Sequence, residues 1–207
     1  MKYNYKDYYK KYDMSGIINI GTGIVKVHNI FDVLPDFMKQ ADCLFIDVPG
    51  RQNDLSSYYT KAGLTSKVDY NSFFNRLFEC IDAIGPNKLF IEVFKDFKDK
   101  YIDACKQRYK YVKIYDSFYF NNKNNKCWII HSSNENIDIP LHNIDEEKAI
   151  ERICDIIGFD CIGDLLMGQG LVGYYANKYN RKFVGTELNK KRLAVLLERI
   201  NTNNIKV

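Results

Sequence analysis

The sequence lacks the residue patterns that bind metals or cross membranes. Its six cysteines are scattered singly without a CxxC pair, and its three histidines have no spacing typical of metal ligands or of a nucleophile with its base. No apolar run approaches the ~18 residues that a membrane-spanning helix needs. These absences predict a protein with no bound metal and no membrane partner.

A strong excess of charge of one sign is also absent. The chain has 30 Lys+Arg against 26 Asp+Glu, a formal net charge of +4, which permits nucleic acid as a partner without requiring it. The N-terminal residues contain no apolar stretch of the signal-peptide type, so we expect a cytoplasmic protein with reduced cysteines. With 207 residues, 46% of them hydrophobic, the chain can fill the core of one globular domain.

The order of the predicted elements indicates one continuous α/β domain over residues 1–207. An N-terminal arm, residues 1–15, alternates Tyr with Lys and could either cover the core or lie along a polyanion. A first half (20–140) and a second half (141–207) follow it. Strands that alternate with helices predict a mostly parallel sheet with helices on both faces, and an antiparallel hairpin around the asparagine-rich segment 121–125.

Hydrophobic periodicity locates the individual elements. The polar segment 51–68 is predicted to be a long loop, which is typical of functional or mobile segments. We expect strands over 23–28, 42–47, 88–94, 111–120, 127–133 and 182–188, and helices over 30–39, 70–83, 97–108, 145–157, 171–179 and 189–200.

A glycine-rich turn in the second half has the features of a nucleoside-binding loop. Gly168, Gly170 and Gly173 fit the pattern GxGxxG between an apolar run and a helix, where backbone amides can approach a ligand. Glu187 ends the next strand, 23 residues after Asp164, where an acid can accept hydrogen bonds from ribose hydroxyls. Glycine in such turns also serves close helix packing, but the strand, the helix and the acid together favour a nucleoside cofactor.

The position of this loop argues against a dinucleotide fold. Only 34 residues follow Gly173, too few for the strands that come after the first phosphate loop of such a fold. The remaining strands must therefore lie upstream. One of them, 42–47, is apolar and ends in Asp47, followed by Pro49. We expect a sheet of permuted strand order in which both loops meet at one switch point.

Three segments resemble a known enzyme family. DLLMGQGLVG (164–173) is similar to the cofactor loop DPFxGSGTTG of S-adenosylmethionine-dependent DNA amino-methyltransferases, in the group whose catalytic motif precedes the cofactor motif. RKFVGTEL (181–188) resembles the family's ribose-binding strand, and DCLFIDVPG (42–50) resembles the strand ending in its catalytic DPPY or DPPW. The resemblance covers nearly the whole chain and implies a Rossmann-like methyltransferase fold.

The resemblance implies S-adenosyl-L-methionine as the cofactor and assigns residues to it. The glycine loop would surround the methionine part, helix 145–157 would cover the methionine carboxylate, and Glu187 would bind the ribose. His28 and Asn29 stand where the family has a Gly-Asp pair that helps to hold the adenine ring. The implied cofactor-binding residues are His28, Asn29, Asp164, Leu165, Gly168, Gln169, Gly170 and Glu187.

The implied catalytic tetrapeptide is Asp47, Val48, Pro49 and Gly50. In the family, the acidic or amide side chain and a following backbone carbonyl accept the hydrogens of an exocyclic amine, and an aromatic ring stacks on the flipped base. Here Val48 replaces the first proline and Gly50 stands in the place of the ring. Nearby aromatic and basic residues, which could supply the ring and contact the substrate, are Tyr58, Tyr59 and Lys61.

The resemblance implies a methyltransferase that acts on an exocyclic amine of a base in DNA, with adenine N6 favoured over cytosine N4. Three alternatives remain open at this point. The altered tetrapeptide is compatible with an impaired subunit that binds cofactor or a partner chain, including a second copy of itself. Asp47, as an acid at a strand end, could also act only as a cap of the next turn. A methyltransferase of small molecules is compatible with the modest charge.

Overall fold

The computed structural model describes residues 5–65 and 67–202. Within these residues, one nine-stranded sheet runs through both halves of the chain, with helices on both faces. The strands are β1 (Ile17–Ile20), β2 (Gly23–Val27), β3 (Cys43–Asp47), β4 (Lys88–Val93), β5 (Tyr111–Phe118), β6 (Lys126–Ser133), β7 (Ile144–Asp145), β8 (Cys161–Asp164) and β9 (Lys182–Glu187). The α-helices are α1 (Gln52–Lys61), α2 (Tyr70–Ile84), α3 (Lys98–Lys106), α4 (Glu146–Ile156), α5 (Leu171–Lys178) and α6 (Lys190–Thr202).

The strand order of the sheet is β1-β2-β9-β8-β3-β4-β6-β5-β7. Strands β2, β9, β8, β3 and β4 run parallel, β6 is antiparallel to β4, and β5 and β6 form the antiparallel hairpin. The central strands β8 and β3 are neighbours although one belongs to each half of the chain. This arrangement confirms the predicted fold class, a mostly parallel sheet of permuted order with an antiparallel hairpin.

Alternation along β3 explains why the sheet is covered on both faces. Leu44 and Ile46 belong to one apolar core, and Cys43 and Phe45 belong to the other. All four are at most 1% exposed. Because successive side chains of a strand point to opposite faces, a strand that is apolar throughout needs helices on both sides. Helices α2 and α3 cover the first face, and α4, α5 and α6 cover the second.

The predicted helix over 30–39 was wrong. A short 3₁₀ helix, Asp36–Gln40, is the regular element of this segment. Pro35 immediately precedes it. A proline has no backbone N–H and disfavours the helical conformation of the residue before it, so an α-helix cannot run through this position without distortion. The apolar spacing of the segment reflects burial of Phe37 and Met38 against the sheet.

The predicted long loop over 51–68 was also wrong, because it contains α1. Only Leu55 and Tyr59 of this helix are buried, and they lie four residues apart on one face. The rest of the helix is polar, so its periodicity is too weak to predict from the sequence. The N-terminal arm has a 3₁₀ helix, Tyr5–Lys11, and Tyr12 donates from its hydroxyl to Glu198 of α6 at 2.9 Å. Residues 1–4 of the arm lie outside the described residues.

Candidate functional site

A large cavity opens at the carboxyl ends of the parallel strands. Its volume is about 1290 Å³, and residues following β2, β3, β8 and β9 line it. Asp47 ends β3 and Asp164 ends β8, and these two strands are hydrogen-bonded neighbours. Parallel α/β sheets bind ligands at this edge, where the strand order reverses. Both strand tips that the sequence singled out therefore face one cavity.

The glycine loop has the backbone geometry that requires glycine at two positions. Gly168 and Gly170 have φ angles of 55° and 79°, in the left-handed region that other residues rarely adopt. A Cβ atom on Gly170 would lie 2.5 Å from the Cβ atom of Leu196 in α6. The loop thus lies directly against α6, and no larger residue fits there without a shift of the backbone.

Glu187 is hydrogen-bonded to the glycine loop. Its Oε2 atom accepts a hydrogen bond from the backbone N–H of Gly168 at 2.7 Å, and its Oε1 atom accepts one from Asn189 N–H at 2.8 Å. The side chain is 7% exposed, and burial raises its pKa above the ordinary value despite these bonds. The Gly168 amide is therefore satisfied by the protein, while each carboxylate oxygen keeps a further lone pair for a ligand.

Most of the loop residues named from the sequence line the cavity: Asp164, Leu165, Gly168 and Gln169. Gly170 is not among the lining residues, because it packs against Leu196 of α6. Asp164 is 4% exposed, and its Oδ1 atom accepts from Leu166 N–H at 2.9 Å. Burial raises the pKa of Asp164 well above its ordinary value. The loop therefore presents a largely desolvated carboxyl group on the floor of the cavity.

His28 and Asn29 follow β2 and line the same cavity. The backbone N–H of His28 donates to Glu187 O at 2.9 Å, which extends the pairing of β2 with β9. Its side chain is 8% exposed, its Nε2 atom makes no hydrogen bond to another described residue, and burial lowers its pKa. Asn29 accepts a hydrogen bond on Oδ1 from the hydroxyl of Tyr59 at 3.0 Å.

Asp47 lies at the base of the cavity with its carboxylate exposed to it. The hydroxyl of Tyr119 donates to Oδ1 at 2.8 Å. Asp47 is exposed where it lines the cavity, yet the surrounding protein desolvates its carboxylate. This desolvation raises the pKa of Asp47 to about 6, opposed by the Tyr119 hydrogen bond and by the positive charge of Arg192. The group is therefore ionised at neutral pH and close to its titration range.

The rest of the tetrapeptide is buried. Val48 donates its N–H to Glu92 O, and the Pro49 carbonyl accepts from the Tyr70 hydroxyl at 2.6 Å. Asp47, Pro49 and Gly50 line the cavity, whereas Val48 is 3% exposed and belongs to the core.

The downstream residues named from the sequence lie on α1. Tyr58 and Tyr59 line the cavity, and Tyr59 is 4% exposed. Lys61 is not among the described residues that line the cavity. Its ammonium group is exposed and lies 5.9 Å from the centre of the Tyr58 ring. The guanidinium of Arg192 lies 4.9 Å from the same ring centre.

Sequence reasoning missed several cavity residues, among them Phe94, Tyr119, Glu146 and Arg192. Glu146 begins α4 at the cavity wall, and burial, together with the charge of Asp47, raises its pKa to about 8. Phe94 and Tyr119 directly follow β4 and β5. The signal that could have identified them is their position at the ends of strands, next to the end of β3.

No group of three or more His, Cys, Asp and Glu in residues 5–65 and 67–202 could hold a metal ion. None of the helices in this part of the chain is long and apolar enough to cross a membrane.

Comparison with solved structures identifies the fold. M1.HpyAVI in complex with SAM superposes with a TM-score of 0.62 at 14% identity, covering 86% of this chain and 99% of that one. TTHA0409 from Thermus thermophilus, complexed with S-adenosyl-L-methionine, has a TM-score of 0.55 at 13% identity over 79% and 88%. The cytosine-N4-specific PvuII DNA methyltransferase has a TM-score of 0.56 at 12% identity over 90% and 89%.

No protein-family model matches the sequence, and no curated protein matches it. Because the sequence identities are low, these similarities establish the fold alone: the chain has the same fold as these structures.

Proposed function

We propose that this protein transfers a methyl group from S-adenosyl-L-methionine to an exocyclic amine of a base in DNA, with adenine N6 as the favoured acceptor. One observation carries the proposal: Asp47 and the glycine loop with Glu187 line one cavity at the ends of neighbouring strands. The fold is shared with a cytosine-N4-specific DNA methyltransferase and with two proteins solved with S-adenosylmethionine. The preference for adenine rests on the resemblance of the sequence motifs alone. The DNA in the experiment below contains both adenine and cytosine, so either base can accept the methyl group.

The residues at the β8, β9 and β2 ends fit the proposed cofactor. Glu187 keeps lone pairs toward the cavity, and these can accept the ribose hydroxyls. His28 has a buried ring nitrogen without a partner among the described residues, and the adenine edge would satisfy it. Gly168, Gln169 and Asp164 would surround the methionine part, beside the first turn of α4. When bound, this cofactor supplies an electrophilic methyl group.

The other wall of the cavity provides the groups that would act on the base. Tyr119 donates to Oδ1 of Asp47, which leaves Oδ2 to accept a hydrogen from the exocyclic amine. A following backbone carbonyl would accept the second hydrogen: Pro49 lines the cavity, and its carbonyl keeps a second lone pair beside the bond from Tyr70. Fixing both hydrogens orients the nitrogen lone pair toward the methyl donor, and positioning of this kind contributes much of the rate in group transfer.

The direct test is transfer of a tritiated methyl group to unmethylated DNA. We expect incorporation by the wild type and its loss, by about a hundredfold or more, in Asp47→Ala, because the amine then has no carboxylate to orient it. Asp36→Ala is the matched control, since the exposed Asp36 side chain forms a surface ion pair with Lys39 away from the cavity residues. Digestion of the labelled DNA to nucleosides identifies adenine or cytosine as the acceptor.

Calorimetric titration of the cofactor separates binding from chemistry. Asp47→Ala should retain wild-type affinity, whereas Glu187→Ala should lose it, because Glu187 is the proposed ribose acceptor. Absence of label from every DNA tested, with a folded protein, would reject the transferase. If the protein also failed to bind the cofactor, the proposed transferase would give way to a scaffold or partner-binding subunit.

A further inference from the structure

The tetrapeptide ends in glycine at the position where the related motifs have an aromatic ring, and the space beside that glycine is filled. A Cβ atom on Gly50 would lie 2.8 Å from Cδ2 and 3.1 Å from Cγ of Phe94. Contacts below 3.0 Å do not occur without a shift of one partner. The Phe94 ring therefore occupies the volume that any side chain at position 50 would need, which explains why glycine stands there.

Phe94 belongs to an aromatic pair at the cavity wall. Its ring stacks on Tyr119 with a centroid distance of 5.1 Å and an interplanar angle of 3°. The two residues follow β4 and β5, which both pair with β6, so the sheet itself brings the rings together. Both side chains are partly exposed, and both line the cavity.

The pair is attached directly to the carboxylate of Asp47. Tyr119 donates its hydroxyl hydrogen to Asp47 Oδ1 at 2.8 Å, so the ring that stacks on Phe94 is held one hydrogen bond from Asp47. A planar base whose amine reaches Asp47 must pass close to these rings. Stacking between an aromatic side chain and a base stabilises binding and tolerates any base, because every base has a flat π face.

We propose that Phe94, held in place by Tyr119, is the ring on which the target base stacks, in place of the missing aromatic residue of the tetrapeptide. This inference rests on the proposed function, because it assigns a contact to its substrate. The stacking surface is thus moved from the strand β3 to the end of β4, while its place beside Asp47 is retained. Phe94 is a substrate-positioning residue, and Tyr119 orients both Phe94 and Asp47.

The first test compares two stacked phenylalanines of the same segment. Phe94→Leu keeps an apolar side chain but removes the aromatic face. Phe97→Leu is the matched control, because Phe97 stacks on Tyr70 with a centroid distance of 3.8 Å and is outside the residues that line the cavity. Phe94→Tyr keeps the face. The readout is fluorescence quenching of the adenine analogue aminopurine, placed in a single-stranded oligonucleotide, with S-adenosylhomocysteine present.

We expect quenching by wild type, Phe97→Leu and Phe94→Tyr, and an affinity about tenfold to a hundredfold weaker for Phe94→Leu, the fold-change that corresponds to the loss of one stacked base. Equal affinities of Phe94→Leu and Phe97→Leu would overturn the proposal, as would absence of quenching by the wild type. This readout needs no methyl transfer. Quenching with the expected pattern but without transfer would leave the stacking assignment standing and reject the proposed function.

A ring exchange gives the second test. Gly50→Tyr alone should weaken aminopurine binding, because the new side chain collides with Phe94. Gly50→Tyr combined with Phe94→Ala restores a ring from β3 and should bind at least about tenfold more tightly than Phe94→Ala alone. An exchange variant that is folded by circular dichroism but binds no better than Phe94→Ala would contradict the assignment.

Discussion

The two walls of the cavity differ in how their residues are brought together. On the cofactor-loop wall, Asp164, the glycine loop and Glu187 come from one continuous β-α-β unit, β8-α5-β9, and backbone N–H groups of the loop donate hydrogen bonds to the two carboxylates. On the tetrapeptide wall, Asp47 is 72 residues from Tyr119, and the contact between them is made by side chains alone. The first wall is encoded locally and the second is assembled by the sheet.

This difference indicates which wall tolerates change. A wall fixed by backbone conformation has few alternatives, because positive φ angles and close backbone approach restrict it to glycine. A wall built from side chains of neighbouring strands can exchange one contributor for another, provided the volume and the chemistry are kept. The tetrapeptide wall fits such an exchange, because position 50 has glycine and the ring of Phe94 fills the space beside it.

The largest effect is expected on the cofactor-loop wall, from Gly170→Ala. The added Cβ would meet Leu196 at 2.5 Å and would sit on a residue with φ of 79°. Left-handed strain and overpacking each cost roughly 1–3 kcal/mol, so we expect the free energy of unfolding to fall by about 3 kcal/mol. Urea denaturation measures it.

Gly63→Ala is the matched control for this variant. Gly63 has a similar φ of 82°, but a Cβ there would have nothing within 4 Å. Its loss should therefore be only about 1 kcal/mol, the contribution of backbone strain alone. Equal losses in the two variants would mean that contact with α6 does not fix the loop, and the contrast between the two walls would fail.

The next effect concerns the buried acids behind the tetrapeptide wall. Glu92 pairs with Asp47 across β3 and β4 and is 0% exposed. Neither carboxyl oxygen has a hydrogen bond of good geometry to the described residues, although Cys127 and Tyr119 lie beside it. Burial, with the charges of Asp47 and Glu146, raises the pKa of Glu92 well above its ordinary value. The folded state therefore binds a proton that the unfolded chain releases.

A raised folded-state pKa makes stability fall as pH rises above the unfolded value, about 4.3 for glutamate. Glu92→Gln replaces the protonated acid by a neutral side chain of similar shape and removes that loss. We expect equal unfolding free energies at about pH 4 and a variant more stable than wild type by at least ~1 kcal/mol at about pH 8, since one pKa unit corresponds to ~1.4 kcal/mol. Urea titrations at both pH values measure it.

The control for the pH effect is Glu135→Gln, which changes an exposed glutamate whose closest cation, Lys88, is 4.0 Å away. It should follow the wild-type pH profile closely. A Glu92→Gln profile parallel to wild type from acid to alkaline pH would show that Glu92 is ionised in the folded protein.

The same contrast explains what the sequence could predict. The mostly parallel sheet, the hairpin, the glycine loop and Glu187 follow from patterns within about 25 residues of chain, such as apolar runs, turn residues and helix periodicity. Phe94 and Tyr119 can be recognised as residues at strand ends, but their proximity to Asp47 cannot be predicted, because it depends on which strands are neighbours. The errors over 30–39 and 51–68 are local: Pro35 interrupts one apparent helix, and α1 buries too few residues to show its period.

The smallest effect is expected where the two walls meet. Tyr59 of α1 follows the tetrapeptide in sequence, yet its hydroxyl donates at 3.0 Å to Asn29 on the side proposed to hold the adenine. We infer that Tyr59 positions Asn29 for the cofactor and does not stack on the base, because the Tyr59 side chain is only 4% exposed. Tyr59→Phe should lower the free energy of unfolding by about 1 kcal/mol and weaken S-adenosylmethionine binding about fivefold. Denaturation and calorimetric titration measure the two quantities.

Tyr109→Phe removes an equivalent bond away from the cavity, because the Tyr109 hydroxyl donates to Pro86 O at 3.0 Å and Tyr109 is outside the lining residues. It should lose similar stability and keep wild-type cofactor affinity. If both variants weakened the cofactor equally, the effect would reflect general loosening of the fold. If neither variant weakened cofactor binding, the hydrogen bond from Tyr59 of α1 would not be needed to position Asn29. Cofactor binding would then depend only on the β8-α5-β9 unit and the end of β2.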